Sequence, residues 1–188
     1  MKFIDNGIER LALKLQQKQN LSHIEFLKVR LGMQVVVINF SKAVVTYGLA
    51  LLLHLFLYTL IVHISFLVLR FYSNGAHAKN SILCHIQNIL FFIFVPWLIV
   101  RYDIPFVYLL LLVILGSFLV VRYAPAATKK KPIAKKRIKG LKIRSCFAMG
   151  LLIIASFIVS EPYNKFILYG AILQSLTLLP IFKSKEET

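Results

Sequence analysis

The chain has 188 residues, of which 59% are hydrophobic, and its mean hydropathy is +0.75. A soluble domain of this size cannot bury so large an apolar fraction in one core, because surface shrinks only slowly relative to volume. The formal net charge of +16 would suggest nucleic acid as the partner of a soluble protein. Here the basic residues flank apolar stretches and lack an aromatic platform on which bases could stack. We therefore predict a membrane protein that binds the lipid bilayer and no nucleic acid.

The amino-terminal segment is amphipathic and charged, unlike a cleavable signal peptide. Apolar residues recur at helical spacing across residues 3–31, and the opposite face is charged. A helix of this kind lies at a membrane surface or packs on partner helices. We therefore expect residues 1–32 to form an amphipathic helix in the cytoplasm and residues 33–188 to form one membrane bundle.

Several apolar stretches of the remaining chain are long enough to cross a bilayer as helices. The first stretch, residues 33–69, is too long for one simple crossing and contains Lys42 and Gly48. We predict a helical hairpin there, and a single long or re-entrant segment is the alternative. The predicted helices lie near residues 33–48, 50–69, 82–100, 104–121, 145–160 and 163–182.

Charge determines the predicted orientation. The segment 122–144 is rich in Lys and Arg and contains no acidic residue, and the amino-terminal segment is also basic. Both should lie in the cytoplasm, so the chain between them crosses an even number of times. The fold prediction is therefore an all-α, polytopic membrane protein with about six transmembrane helices, because lipid tolerates no unpaired backbone. Both termini and residues 70–80 are expected inside, and the links near Asp103 and Glu161 outside.

A polar link between two predicted spans ends just before Cys84. Asn74-Gly75 is a turn signal, and Asn80 or Ser81 is a suitable helix N-cap. Cys84 would then lie in or near the first turn of the next helix. The positive end of the helix dipole favours a nucleophilic thiolate, and the neighbouring amide groups can stabilise an oxyanion.

His77 is the candidate partner of this thiol. It precedes Cys84 by seven residues, and on one continuous helix about 10 Å of rise would separate their Cα atoms. The pairing therefore requires residues 73–80 to leave helical geometry and fold His77 back over the helix start. A histidine placed in this way supplies the acid for a leaving amine.

Other interpretations of these residues remain open. Cys84 would serve equally as a small buried hydrophobe, and His77 as a solvated loop residue. A zinc site with His85 lacks a fourth ligand, so we expect neither a metal nor another cofactor. Cys146 is expected to be a structural thiol. Polar residues within the spans are expected to pack against other helices. The alternative is that the protein is a small transporter, channel or scaffold, in which His54, His63 and Glu161 would line the pathway.

Several motifs together resemble the accessory gene regulator B (AgrB) family of membrane peptidases. They extend over nearly the whole chain at closely similar spacing. They comprise Arg30–Gln34, Gly75–Ala78, Cys84, Tyr123–Pro132, Glu161–Pro162 and Leu178–Phe182.

The resemblance implies that His77 and Cys84 are the catalytic residues of a cysteine endopeptidase in quorum sensing. The implied substrate is AgrD, a precursor peptide with an amphipathic leader, a central cysteine and an acidic tail. Cys84 would release the tail and form a thioester, which the peptide's own cysteine would capture as a thiolactone. The sequence does not separate this cyclisation from release of a linear product. We expect Gln34, Arg70 and the run Lys129, Lys130 and Lys131 to contact the peptide. The alternative role of the lysine run is to anchor the chain on anionic lipid. We also expect a homodimer.

Overall fold

The computed structural model describes residues 2–75, 81–126 and 133–180, and every regular element within these residues is helical. The chain forms two compact units, residues 1–48 and 49–188, and the second helix begins in one unit and ends in the other. The α-helices are α1 (Lys2–Gln19), α2 (His23–Leu52), α3 (Phe56–Ser73), α4 (Ser81–Ile89), α5 (Val95–Arg101), α6 (Phe106–Tyr123), α7 (Lys135–Ile158) and α8 (Tyr163–Leu176), and a π-helical turn (Leu90–Phe94) joins α4 to α5.

The first unit contains two helices where the sequence predicted one helix across residues 3–31. Asn20 adopts a positive φ of 49°, and a reciprocal cap then starts α2. The Ser22 hydroxyl donates to Glu25 Oε2 at 2.8 Å, and the Ser22 amide donates to the same oxygen at 2.9 Å. This capping box satisfies amide groups at the start of a helix, so it fixes α2 as a new helix after the break.

The turn between α2 and α3 lies later than the sequence indicated. Gly48, near which the hairpin turn was predicted, is inside α2. The helix instead ends at Leu52, and His54 at the turn has a positive φ of 57°. The Leu55 amide then donates to the Ala50 carbonyl at 2.7 Å, which closes the end of α2. A glycine in an apolar helix was therefore mistaken for the turn.

The π-helical turn interrupts the span from α4 to α5. At its end, the Val95 amide donates to the Leu90 carbonyl, five residues earlier. Such turns occur as single insertions within α-helices. Here a proline follows directly at position 96, and it carries no N–H group.

Two hydroxyl groups replace the donor that Pro96 lacks. An N–H group at position 96 would donate to the Phe92 carbonyl in the α-helical (i+4) register or to the Phe91 carbonyl in the π-helical (i+5) register. Tyr169 of α8 donates to the Phe91 carbonyl at 2.9 Å, and Thr59 of α3 donates to the Phe92 carbonyl at 2.8 Å. Because a buried carbonyl without a donor is costly in an apolar interior, these hydroxyls stabilise the interrupted span.

Helix α8 is the centre of the second unit. Every residue from Asn164 to Ser175 is buried, and α3, α6 and α7 pack around the helix. Glycines permit this close packing. A Cβ atom on Gly170 would lie 2.6 Å from the Val62 carbonyl oxygen of α3, and one on Gly116 of α6 would meet Ser175. Small residues at helix contacts are typical of membrane bundles.

The links between helices gather at two places in this unit. Lys165 Nζ bonds to Asp103 Oδ1 at 2.7 Å and lies 3.9 Å from Glu161 Oε2, so the α5–α6 and α7–α8 links are adjacent. Residues 74 and 126 form a parallel bridge, in which the Ala126 amide donates to the Ser73 carbonyl at 2.9 Å. The segment after α3 therefore lies beside the segment after α6.

Helix α7 begins at Lys135, so the second half of the predicted 122–144 loop is helical.

Five helical segments of the described chain are long and apolar enough to cross a membrane: α2, α3, the 83–101 stretch, α6 and α7. Their outward faces carry exposed apolar side chains, including Phe40, Leu67, Phe118 and Ile154. Helix α8 has 14 residues and spans about 21 Å, less than the roughly 30 Å of a bilayer core. It is the counterpart of the predicted 163–182 span, whose last two residues lie outside the described ranges. The predicted fold class, an all-α polytopic membrane protein, is confirmed.

Candidate functional site

Cys84 lies in the first turn of α4, which begins at Ser81. Its side chain is partly buried. In a helix, side chains lean toward the amino terminus, so this sulfur lies toward the positive end of the α4 dipole. His77 lies outside the described residues, so the distance between His77 and Cys84 stays a prediction.

Arg70 is a cation held in place by its neighbours in the second unit. It lies in the last turn of α3, its guanidinium carbon is 5.3 Å from the centre of the Phe66 ring, and Nη1 donates to Gln174 Oε1 at 3.1 Å. The guanidinium also interacts electrostatically with Cys84. The structure thus brings together two of the site residues named from the sequence.

The amide of Gln174 holds the end of α3. Its Nε2 atom donates to Ser73 Oγ at 2.9 Å and to the Asn74 carbonyl oxygen, and the Ser73 hydroxyl donates to the Leu69 carbonyl at 2.8 Å. Gln174 and Ser73 are fully buried. Buried amide and hydroxyl groups are stable only when bonded in this way, and both Gln174 and Ser73 have such partners here.

A tight turn leads from α3 toward the segment that contains His77. Asn74 has a φ of 55°, and Gly75 has a φ of 127°. A Cβ atom on Gly75 would collide with Thr177 Oγ1 and would lie 3.2 Å from Gln174 Nε2. Only glycine therefore fits here, both because of its backbone angle and because α8 approaches so closely.

The other predicted peptide contacts lie in the first compact unit or outside the described ranges. Gln34 is a partly buried residue of α2 within the first unit, residues 1–48. Lys129, Lys130 and Lys131 lie outside the described ranges. The basic residues that follow them are exposed on the first turns of α7, namely Lys135, Lys136, Arg137, Lys139, Lys142 and Arg144.

Three other polar or thiol groups, namely Cys146, His63 and Glu161, contact neighbouring side chains. Cys146 packs against the apolar core of the second unit. His63 stacks on Phe92 with ring centroids 3.8 Å apart. Glu161 lies beside Lys165, as described above. No group of three histidine, cysteine or acidic side chains suited to a metal ion occurs in the described ranges, which do not include His77.

Sequence reasoning missed Gln174 as a site residue and treated it as packing polarity. Its signal in the sequence is an amide near the end of an apolar helix, where unbonded polar groups are costly. Its partners Arg70 and Ser73 precede it by about one hundred positions, and no local pattern connects residues so far apart. Only the fold shows that the amide faces the end of α3.

Comparison with known proteins identifies the family. The accessory gene regulator B family model matches residues 8–178. Accessory gene regulator protein B from Staphylococcus intermedius is 67% identical over 187 residues, and the alignment covers both chains fully. The proteins of that name from Staphylococcus epidermidis and Staphylococcus haemolyticus (strain JCSC1435) are 51% and 50% identical over 187 residues, which is all of this chain and 96% and 100% of those relatives. No solved structure shows a significant match. The chain therefore belongs to the accessory gene regulator B family.

Proposed function

We propose that this protein is a membrane cysteine endopeptidase that removes the acidic tail of a precursor peptide and closes a thiolactone ring in the remainder. The observation that carries the proposal is the position of Cys84, in the first turn of α4 and in electrostatic interaction with the Arg70 guanidinium. A thiol at a helix start and near a permanent cation is in the kind of setting in which cysteine acts as a nucleophile. Family membership supports the same assignment.

In the first step the Cys84 thiolate attacks the carbonyl carbon that joins the signal segment to the tail. The amide groups at the start of α4 stabilise the oxyanion. The C–N bond then breaks, and protonated His77 donates its proton to the departing amine. The tail leaves, and the signal segment stays on Cys84 as a thioester.

In the second step the peptide's own cysteine attacks the thioester carbonyl. His77, now neutral, accepts the thiol proton, and Cys84 leaves as the thiolate. The product is a thiolactone, and the enzyme returns to its initial state. Ring closure outcompetes hydrolysis when the peptide is held close and water is excluded, which a site at the membrane face provides.

We further propose that the substrate is AgrD and that Gln34, Arg70 and Lys129–Lys131 contact it. A guanidinium has five N–H donors, so Arg70 can stabilise the thiolate and still bind a peptide oxygen. Both termini are proposed to lie in the cytoplasm, and the protein is proposed to act as a homodimer.

The test uses purified protein in lipid vesicles with a synthetic precursor peptide, followed by mass spectrometry. Cys84→Ala and His77→Ala are expected to abolish cleavage, and Cys84→Ser should be nearly inactive because a hydroxyl is not ionised under these conditions. Cys146→Ala is the matched control and should cleave normally. Full activity of Cys84→Ala would refute the proposal. A thiolactone is lighter than the linear product by one water molecule, so the same spectra separate cyclisation from hydrolysis.

A further inference from the structure

The π-helical turn (Leu90–Phe94) connects the helix of Cys84 to the packed part of the second unit. Among the described elements, this turn packs against α3, whereas α4 has its close backbone neighbours chiefly in the turn itself. Phe92 of the turn is buried, and its ring stacks on His63 of α3 with centroids 3.8 Å apart. The turn is therefore anchored, and the rotation of α4 about its own axis follows from the hydrogen-bond register of the turn.

Two hydrogen-bond registers are possible at this turn. In the observed register the Val95 amide donates to the Leu90 carbonyl, five residues earlier. In a continuous α-helix the same amide would donate to the Phe91 carbonyl, four residues earlier. The two registers differ by one residue, so a change between them would rotate α4 by about 100° and shift it by about 1.5 Å relative to α5. Cys84 would then point in a different direction.

Tyr169 of α8 bonds to the carbonyl whose helix donor depends on this choice. In the α-helical register the Phe91 carbonyl would accept from the Val95 amide. In the observed register that amide is used elsewhere, and Pro96, the next possible donor, has no N–H group. The Tyr169 hydroxyl donates to the Phe91 carbonyl at 2.9 Å instead. Because an unbonded carbonyl is costly in an apolar interior, Tyr169 stabilises the observed register relative to the α-helical one.

Thr59 of α3 bonds to a carbonyl whose missing donor does not depend on the register. The α-helical donor to the Phe92 carbonyl would be an N–H group at position 96, where the proline has none in either register. The Thr59 hydroxyl donates to this carbonyl at 2.8 Å. Thr59 therefore stabilises the turn without favouring one register over the other.

We infer that Tyr169 is a positioning residue of the peptidase, whose hydroxyl selects the π-helical register and so sets the direction in which Cys84 points. This inference rests on the proposed function and deepens it. Tyr169 bonds to the backbone of the span and acts on the thiol only through that backbone. Single π-helical turns occur frequently at functional sites, in agreement with such a role.

The first experiment compares peptide cleavage by Tyr169→Phe and Thr59→Val in lipid vesicles. Phenylalanine keeps the ring and removes the hydroxyl, so the α-helical register becomes accessible. Cleavage should fall by about 10- to 100-fold, in kcat more than in KM, because the nucleophile is misdirected while the peptide still binds. Thr59→Val is the matched control, since it loses a bond of the same kind to the adjacent carbonyl. Per molecule of inserted protein, this control should cleave normally.

The second experiment measures the rotation itself, in protein whose two cysteines are replaced by serine. Spin labels are attached at Phe71, near the end of α3, and at either Leu83 or Ile86 of α4, all of which are exposed. A rotation of about 100° moves the tip of a helical side chain by about 8 Å, which pulsed electron paramagnetic resonance detects. Positions 83 and 86 point in directions about 60° apart, so both distances cannot stay constant if α4 rotates. At least one distance should change by several ångströms in the tyrosine variant, and neither should change in the threonine variant.

Deletion of Phe94 provides a rescue that a merely structural role would not allow. Without this residue the Val95 amide lies four positions after the Leu90 carbonyl, so their bond becomes α-helical and the thiol keeps its direction. The lost ring is partly exposed and stacks on another ring of the same span. The deletion variant should cleave normally. Adding Tyr169→Phe to it should cost little activity, because the α-helical register now gives the native direction.

Wild-type cleavage or unchanged label distances in Tyr169→Phe would overturn the inference. An equal loss of cleavage in Thr59→Val would also overturn it, because that result indicates a structural role. If Tyr169→Phe fails to insert, the Phe94 deletion decides, since loss of cleavage in a correctly inserted deletion variant contradicts the inference. Cleavage by Cys84→Ala would instead refute the proposed function. The label distances do not depend on that activity, so the two failures are distinguishable.

Discussion

Gly75→Ala tests whether the turn after α3 must keep its observed shape. The native φ of 127° is one that residues with a side chain rarely adopt. Forcing such a conformation costs about 1–3 kcal/mol. Since 1.36 kcal/mol corresponds to a factor of ten in rate, cleavage should fall by about 5- to 150-fold from the backbone alone. The collision of the new methyl group with Thr177 adds to this loss.

The backbone and steric parts can be separated by a second substitution. Thr177→Ala removes the hydroxyl that the new methyl group would meet, and this hydroxyl otherwise donates only to the Gln174 carbonyl of its own helix. The Gly75→Ala/Thr177→Ala protein should recover part of the lost activity, because the φ requirement stays. Cleavage is measured in vesicles as release of the tail peptide, after insertion has been verified.

Gly150→Ala is the matched control for this series. Gly150 is in the interior of α7, and a Cβ atom there would meet no heavy atom within 4 Å. Alanine is favoured over glycine in a helix, so this variant should be neutral or slightly stabilised. A Gly75→Ala protein that inserts correctly and cleaves at the wild-type rate would show that the Asn74–Gly75 turn does not constrain catalysis.

Three further predictions follow from other parts of the chain. Thr59→Val leaves the Phe92 carbonyl without its hydroxyl donor and should lower the free energy of unfolding by about 1–2 kcal/mol, measured by denaturant titration in detergent. Ser117→Ala, which loses only a bond within its own helix, should change it less, and an equal loss in both would contradict the argument. Impermeant thiol reagents on intact cells should label a cysteine placed near Asp103 but none within Lys129–Lys131, and the opposite pattern would refute the proposed orientation. Neutralising Lys129–Lys131 together should slow peptide processing more at low salt than at high salt, because surface attraction is screened. If a correctly inserted variant processes the peptide normally at every ionic strength, these lysines only anchor the chain to the membrane and do not bind the peptide.

Hydropathy and charge were sufficient to predict the fold class. A run of apolar residues long enough to cross a bilayer has few alternatives to a helix, because lipid offers no partner for the backbone. The start of α4 was also within reach of the sequence. The helix begins at Ser81, within one residue of both cap positions considered, and Cys84 accordingly lies in its first turn.

The helix breaks were harder to predict. The Ser22–Glu25 capping box is a local signal that was present in the sequence and was overlooked. The break at His54 is different, since no glycine or proline marks it within the apolar run. Local preference is weak in such apolar stretches, so the position of the break could not be predicted from them.

The polar contacts of the site could not be derived from the sequence for a related reason. The bonds from Gln174 to Arg70 and Ser73 join residues about one hundred positions apart. The same holds for the hydroxyls of Thr59 and Tyr169, which replace the donor missing at Pro96. Composition shows that such groups need partners, but only the packing of α3 and α8 determines which partners they find.

The hydroxyl-bonded π-helical turn also fixes the rotational position of the span that begins with Cys84, the proposed nucleophile. Phe91, pinned by Tyr169, follows Cys84 by seven residues, which is a rise of about 10 Å. Inserting or deleting one residue between them would rotate the thiol by about 100° relative to the pinned carbonyl and thus away from Arg70. Inserting or deleting one residue in the link at Tyr102–Pro105 would not rotate the thiol relative to the pinned carbonyl. Insertion tolerance along this segment should therefore be lowest between Cys84 and Phe91 and should rise sharply beyond α5.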